Sequence, residues 1–284
     1  MKYKSKFIVL STAVMTLAIF IFTACKKNDS TPATDTGFSS ETATADRTFE
    51  DAQTVSDQAA ATSSATLTNF RETNGGCVTV TRDTTSVPHT ITITFTNGCT
   101  SLDGKMRTGS IVISYTGHYY DSGAMHTINF DNYTVDGNAV DNSSYRSVTN
   151  MGNNVVYITE EGSILMSGAT NPVKWSAHRI RTWTAGFNTP NVLSDDKYSI
   201  TDQTGYADTL TRANGNIVKN LITSAILFDY SCQYRIVGGI VEHTFANNTT
   251  ATLVYNTSGG VASTTPCTGE ATLTYLGHTY TKHL

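Results

Sequence analysis

From Cys77 onward, apolar and polar residues alternate with a period of two. In the run HTITITF, Ile91, Ile93 and Phe95 alternate with Thr90, Thr92 and Thr94. Successive strand side chains point to opposite faces, and β-branched and aromatic residues suit a pleated, half-buried surface. The run therefore reads as a strand with one face on a core. The texture recurs in SIVISYTGHYY, HTINFDNYTV, NNVVYITEEGSILMSG and KWSAHRIRTW, each bounded by Gly, Asn or Asp. Asp136–Gly137 in VDGNA suits the positive φ of a two-residue hairpin, and Asp121–Ala124 and Ala213–Asn216 read alike. Strands spaced this way form consecutive hairpins. The predicted fold is all-β, an antiparallel meander or sandwich of about a dozen strands in one domain over 46–284.

One helix is predicted ahead of the strands, over 48–61. Phe49, Ala52, Val55 and Ala59 share a face, Thr48 with Asp51 makes a weak capping box, and Glu50 adds first-turn negative charge. Before it, Lys26 to Ala45 is mostly Ser, Thr, Ala and Asp. A stretch so poor in large apolar residues cannot offset its chain entropy, so 25–45 is predicted to be a flexible tether.

Phe7 to Ala24 is an uncharged run of 18 residues behind Lys2, Lys4 and Lys6. A basic segment followed by an apolar one is an export signal. The length would also just span a bilayer, which keeps an uncleaved membrane anchor as the competing reading. Thr23 and Ala24 directly before Cys25 favour cleavage. The junction resembles the bacterial lipoprotein signal, with Phe22 where Leu is usual. That resemblance implies a signal peptide over 1–24, Cys25 as the lipidated first residue of the mature chain, and an outer-membrane lipoprotein facing the periplasm or the cell surface. Two or more acyl chains anchor stably where one does not. Losing residues 1–24 removes three of the 19 basic residues and none of the 23 acids, leaving a net charge of about −7. Nucleic acid needs a basic face and is not an expected partner.

Setting Cys25 aside leaves Cys77, Cys99, Cys232 and Cys267. An even set in an exported chain reads as disulfides, and three pairings exist. Cys77–Cys99 and Cys232–Cys267 are favoured because each brackets one local unit. Chain entropy makes each worth about 3–4 kcal/mol.

The segment Cys77–Tyr120, TWTAG at Thr182–Gly186, Cys232 before IVGG at Ile236–Gly239, and the CKKND that starts at Cys25 together resemble a group of bacteroidete lipoproteins. The resemblance implies lineage and topology. No activity attaches to that group, so it implies no catalytic residue.

Motifs that carry chemistry are scarce. GCTSLDGKM looks like a phosphate loop, but five residues separate Gly98 from Gly104 and Met106 replaces the magnesium-binding hydroxyl. Ser194 to Lys197 fits S-x-x-K by letter, without its partner boxes. Glu160 and Glu161 would point to opposite faces of a regular strand, and are expected to flank the turn into GSILM; Asp195 and Asp196 are a second adjacent pair. The seven histidines show no metal-ligand spacing, although His118 with Tyr120, and His126 with Ile128, can share a strand face. FDNYTVDGNAVDNSS does not fit a calcium loop. No cofactor or metal is expected.

One constellation stands out. Alternation puts Trp175, Ala177, Arg179, Arg181 and Trp183 on one face, including both tryptophans of the chain. Trp and Arg are enriched at binding hot spots, and such a face can stack on sugars and grip carboxylates. Arginine stems covering sheet surface and stacking on tryptophan explain the same pattern without a ligand. Tyr115, Tyr119, Tyr120, Tyr133, Tyr145 and Tyr157 add aromatic surface. Asp29-Ser30-Thr31, Asp83-Thr84-Thr85 and Asp208-Thr209-Leu210 match the O-glycosylation acceptor pattern of the same bacterial group. The expected function is non-enzymatic binding or scaffolding of a glycan or envelope protein. The competing classes are a glycan- or peptide-processing hydrolase with a site assembled from distant strands, and a periplasmic lipid carrier.

Overall fold

Alternation of this kind gives each strand one apolar face, and the structure gathers those faces around a single helix. The computed structural model describes residues 35–61, 77–101, 103–117, 121–189, 192–232, 235–258, 261–262 and 267–283. The expected signal peptide, Cys25 and the expected tether up to residue 34 lie outside them, as do His118, Tyr119 and Tyr120.

The helix is α1 (Gly37–Ala61). The first strands are β1 (Val78–Asp83), β2 (His89–Thr100), β3 (Met106–Tyr115), β4 (Met125–Val135), β5 (Asn138–Val140) and β6 (Tyr145–Gly152). They are followed by β7 (Val155–Leu165), β8 (Val173–Ala185), β9 (Lys197–Asp202), β10 (Asp208–Thr211), β11 (Ile217–Asp229) and β12 (Ile236–Phe245). The last are β13 (Thr250–Tyr255), β14 (Thr257–Ser258), β15 (Val261–Ala262), β16 (Glu270–Tyr275) and β17 (His278–His283).

All but β14 and β15 belong to one sheet of 15 strands. Its pairings are antiparallel and follow chain order except at two places, so the fold is the meander form of the expected all-β class. β5 and β6 share the slot between β4 and β7, and β9 and β10 share the slot between β8 and β11. The disulfides join Cys77 to Cys99 and Cys232 to Cys267, the favoured pairing. The first ties the start of the β1–β2 hairpin to its end. The second links the connections on either side of β12 and β13.

The sheet wraps α1. Arg82 of β1, at one sheet edge, donates to the Ala59 carbonyl at 2.7 Å. Lys282 of β17, at the other edge, reaches the Thr36 hydroxyl at 3.1 Å. Asp51 to Ser56 are six consecutive buried residues, more than one full circuit at 3.6 residues per turn. Phe38, Phe49, Ala52, Val55 and Ala59 are fully buried, each large apolar side chain worth roughly 1.5–3 kcal/mol. Phe38 meets the rings of His243, Phe245 and Tyr275 edge-on at 5.1, 4.8 and 5.5 Å. On β7, Gly162 lets the helix approach closely: a Cβ there would lie 2.7 Å from Phe49 and 2.7 Å from the Ser144 hydroxyl.

The helix corrects two expectations. It starts at Gly37 rather than 48, so 37–45 of the expected tether is helical and its Phe38 and Ala45 are core. Thr48 is not a cap; its hydroxyl donates to the Thr44 carbonyl at 2.8 Å, inside the helix. The physical reason is that a polar helix is buried here by partners from distant strands, which no local pattern of apolar residues records.

Candidate functional site

Four acids of α1, Asp46 and Asp51 buried and Glu41 and Glu50 half-buried, each meet a basic side chain from the sheet or its connections. Glu41 accepts two bonds from Arg212, just beyond β10, at 2.8 and 2.9 Å. Asp46 accepts from Arg179 of β8 at 2.5 Å, and that guanidinium also holds Asp208 of β10 at 2.5 and 2.9 Å. Glu50 accepts from Arg146 of β6 at 2.7 Å. Arg146 further donates to Gln53 at 3.0 Å and pairs with Glu160 of β7, whose other oxygen takes the Trp175 N–H at 2.7 Å. Asp51 takes two bonds from Arg107 of β3 at 2.6 and 2.9 Å, one from Lys105 at 2.7 Å and one from the Tyr133 hydroxyl at 2.8 Å.

The Trp/Arg stripe is therefore one wall of the helix groove. Strand β8 does bring Trp175, Ala177, Arg179, Arg181 and Trp183 onto one face, as alternation requires. That face points inward. Arg179 lies 5.5 Å from the Trp175 ring, and Arg181 lies 4.5 and 4.6 Å from the rings of Trp183 and Tyr198. Trp175 is 1 % exposed and Arg179 3 %, so the expectation of an open ligand face is corrected: the face is covered by α1.

Electrostatics follow from burial and pairing. Burial alone would raise the Glu50 carboxyl; Arg146, Arg181 and Arg179 together bring it below its ordinary value. Asp51 is likewise pushed up by burial and pulled far below the usual range by Arg107 and Lys105. For Glu160 burial wins: the carboxyl is raised despite Arg146 and Arg179, with Asp46 and Glu50 adding to the rise. Burial also pushes Asp208 up to about 7, against Arg179, and one of its oxygens has no hydrogen-bond partner. Burial lowers His126 to about 3, helped by Arg181 and Arg146, and His243 to about 4. A carboxyl with a raised pKa can act as a general acid where substrate reaches it. Glu160 and Asp208 are 0 % and 1 % exposed, so they serve the helix groove instead.

Solvent meets this network at a cavity of about 320 Å³ beside the acidic face of α1, lined by Glu50, Asp51, Lys105, Phe228, Tyr230 and Arg235 among others. Arg235 lies 4.4 Å from the Tyr230 ring and donates to the Thr54 hydroxyl at 2.9 Å. Sequence reasoning missed this set. The cue was GCTSLDGKMR, whose Asp103, Lys105 and Arg107 converge: the last two meet at Asp51 and Arg107 also pairs with Asp103.

The other candidates separate. Glu160 and Glu161 do point to opposite faces, but β7 runs on to Leu165, so they flank no turn; Glu161 accepts from Ser176 at 2.6 Å. Asp196 is buried and accepts from Tyr198 at 2.7 Å, whereas Asp195 is exposed and accepts from Thr189 at 2.8 Å. His126 and Ile128 share the inner face. No group of three metal-ligating side chains occurs among the described residues. Of the three glycosylation-like tripeptides, Asp83–Thr85 runs from the end of β1 into exposed chain, Asp208–Leu210 lies within β10, and 29–31 falls outside the described residues. Compared with protein-family models, curated proteins and solved structures, the chain matches none.

Proposed function

We propose that the chain is a lipid-anchored protein of the bacterial outer membrane whose β body binds or scaffolds and does not catalyse. The basic start, the apolar run Phe7–Ala24 and Cys25 support the anchor, and two disulfides suit an oxidising compartment. The resemblance of Cys77–Tyr120 and CKKND to bacteroidete lipoproteins points the same way.

The observation that carries the reading is the clamping of α1. Only Lys26–Thr36, 11 residues, separates Cys25 from the helix. Glu41, Asp46, Glu50 and Asp51 fix that helix to strands across the sheet. Any load on the anchor passes at once to the whole sheet, as a scaffold requires. The partner is a glycan or an envelope protein. The cavity beside Tyr230 and Arg235 is the place where a sugar could meet an aromatic ring and charged groups together.

The competing classes have less support. Glu160 and Asp208, two carboxyls raised by burial, are sealed from substrate. A lipid carrier needs an apolar interior, and here α1 with its acids occupies it.

Cell fractionation tests the anchor: Cys25→Ser should free the protein from membranes, and continued retention would favour an uncleaved span. The freed protein can then be presented to a glycan array. Binding that Tyr230→Ala abolishes would support the cavity as the sugar site; binding that it leaves unchanged would remove the cavity from consideration.

A further inference from the structure

We infer that one end of the β body is a membrane-docking rim, formed by the β10–β11, β12–β13 and β16–β17 turns, which lies on the anionic headgroups of the leaflet holding the Cys25 acyl chains. The inference rests on the proposed lipidation of Cys25.

The first argument is reach. Eleven residues extend at most about 40 Å. Helix α1 has 25 residues, and at 1.5 Å each is about 37 Å long. Its first turn lies among these three turns, with Phe38 against Phe245 and Tyr275 and Glu41 on Arg212. Its last turn lies at the opposite end, with Ala59 against Arg82. Turning that far end to the membrane would use nearly the whole leash to run the length of the helix.

The second argument is an exposed leucine where the backbone disfavours one. Leu276 has φ 50° and is followed by Gly277 at φ 77°. Two positive-φ residues make the hairpin turn in which Asn-Gly is the usual pair. Of the eight other-than-glycine residues with positive φ among the described residues, six are Asn or Asp and one is the disulfide-bonded Cys267; Leu276 is the eighth. It is 59 % exposed, and Ile217, at the β10–β11 turn of the same rim, is 48 % exposed; Val87 at the opposite end is 88 % exposed, so it is the backbone conformation at 276 that sets this rim apart. Strain spent on displaying an apolar side chain at a turn tip indicates a function for that tip.

Charge is the third argument. The segments 211–217, 245–250 and 275–278 contain His278 and Arg212, the latter paired with Glu41, and the exposed Lys174 and Lys219 lie next to them in the sheet. At the opposite end lie Asp83 and Asp229, which end β1 and β11, and Asp121, Asp195 and Asp196 in the connections, with Lys197 paired to Asp229. Basic residues near an anionic surface contribute roughly 1 kcal/mol each, and acids there would be repelled.

The test uses the lipidated full-length mature protein in vesicles of phosphatidylethanolamine and phosphatidylglycerol. Leu276→Cys and, at the far end, Val87→Cys each receive a fluorophore, and lipids spin-labelled at the headgroup act as quencher. Severalfold stronger quenching at position 276 than at 87 is the expected result. Equal or reversed quenching in protein that floats with the vesicles would overturn the orientation and leave the anchor standing. Protein that stays off the vesicles would overturn the anchor and the rim with it. Where Leu276→Cys fails to fold, Ile217→Cys carries the same fluorophore on the same rim.

Discussion

Arg146→Met should be among the most damaging single substitutions in the body. The guanidinium is fully buried and joins Glu50 and Gln53 of α1 to Glu160 of β7. Methionine fills much of the volume and removes the charge. Glu50 and Glu160 then remain buried together with nothing between them. Removing one partner of a buried pair costs about 3–5 kcal/mol, a large share of the roughly 5–15 kcal/mol that holds a typical domain together. The loss should depend on pH. Arg146 heads the influences that hold Glu50 down against burial; without it the carboxyl rises, and the ionised form then opposes folding. The variant should recover ground relative to the wild type as the pH falls from 8 to 5. Adding Glu160→Gln should restore part of the loss, since the amide is neutral and its carbonyl can still accept the Trp175 N–H. Urea unfolding with disulfides intact, followed by the fluorescence of Trp175 and Trp183, measures all three. A loss within about 0.5 kcal/mol, the range of ordinary surface substitutions, would refute the claim that this network holds the helix.

Gly162→Val should destabilise the body by about 1–3 kcal/mol through overpacking against Phe49 and Ser144, read by the same unfolding curves. Asp208 is held at about 7 when folded and titrates near 3.8 when unfolded. Between those values the folded state carries an extra proton, so this group's contribution to stability falls as pH rises. Relative to wild type, Asp208→Asn should therefore gain stability from pH 4.5 to 7.5, and a constant difference would refute the assignment. His126 and His243 stay neutral in the folded body, so their NMR ring signals should not titrate between pH 8 and 5; their stabilising share is present above pH 6.5 and is lost as pH falls toward 4 and 3. Peptide mapping without reductant should recover Cys77–Cys99 and Cys232–Cys267 and no free thiol among the four.

The strands were legible because alternation is local: HTITITF and KWSAHRIRTW each announce their own inner face. The disulfide pairing was legible because each bridge closes one unit of chain. The helix start was not. GFSSETATA reads as tether because the acids at Glu41 and just beyond it at Asp46 are compensated by Arg212 and Arg179, more than a hundred residues downstream. The same blindness turned the Trp/Arg stripe into a ligand face. Alternation showed which residues share a side, but only the sheet's curvature around α1 decides that the side is inside.

Hydrogen–deuterium exchange along α1 in the intact protein tests the central claim most directly. If the helix is the core of the sheet, its amides beyond the first turn, from Glu41 to Ala59, should be protected as strongly as those of β8. Rapid exchange over 41–45, at the rate of an unstructured segment, would contradict the account and return those residues to the tether.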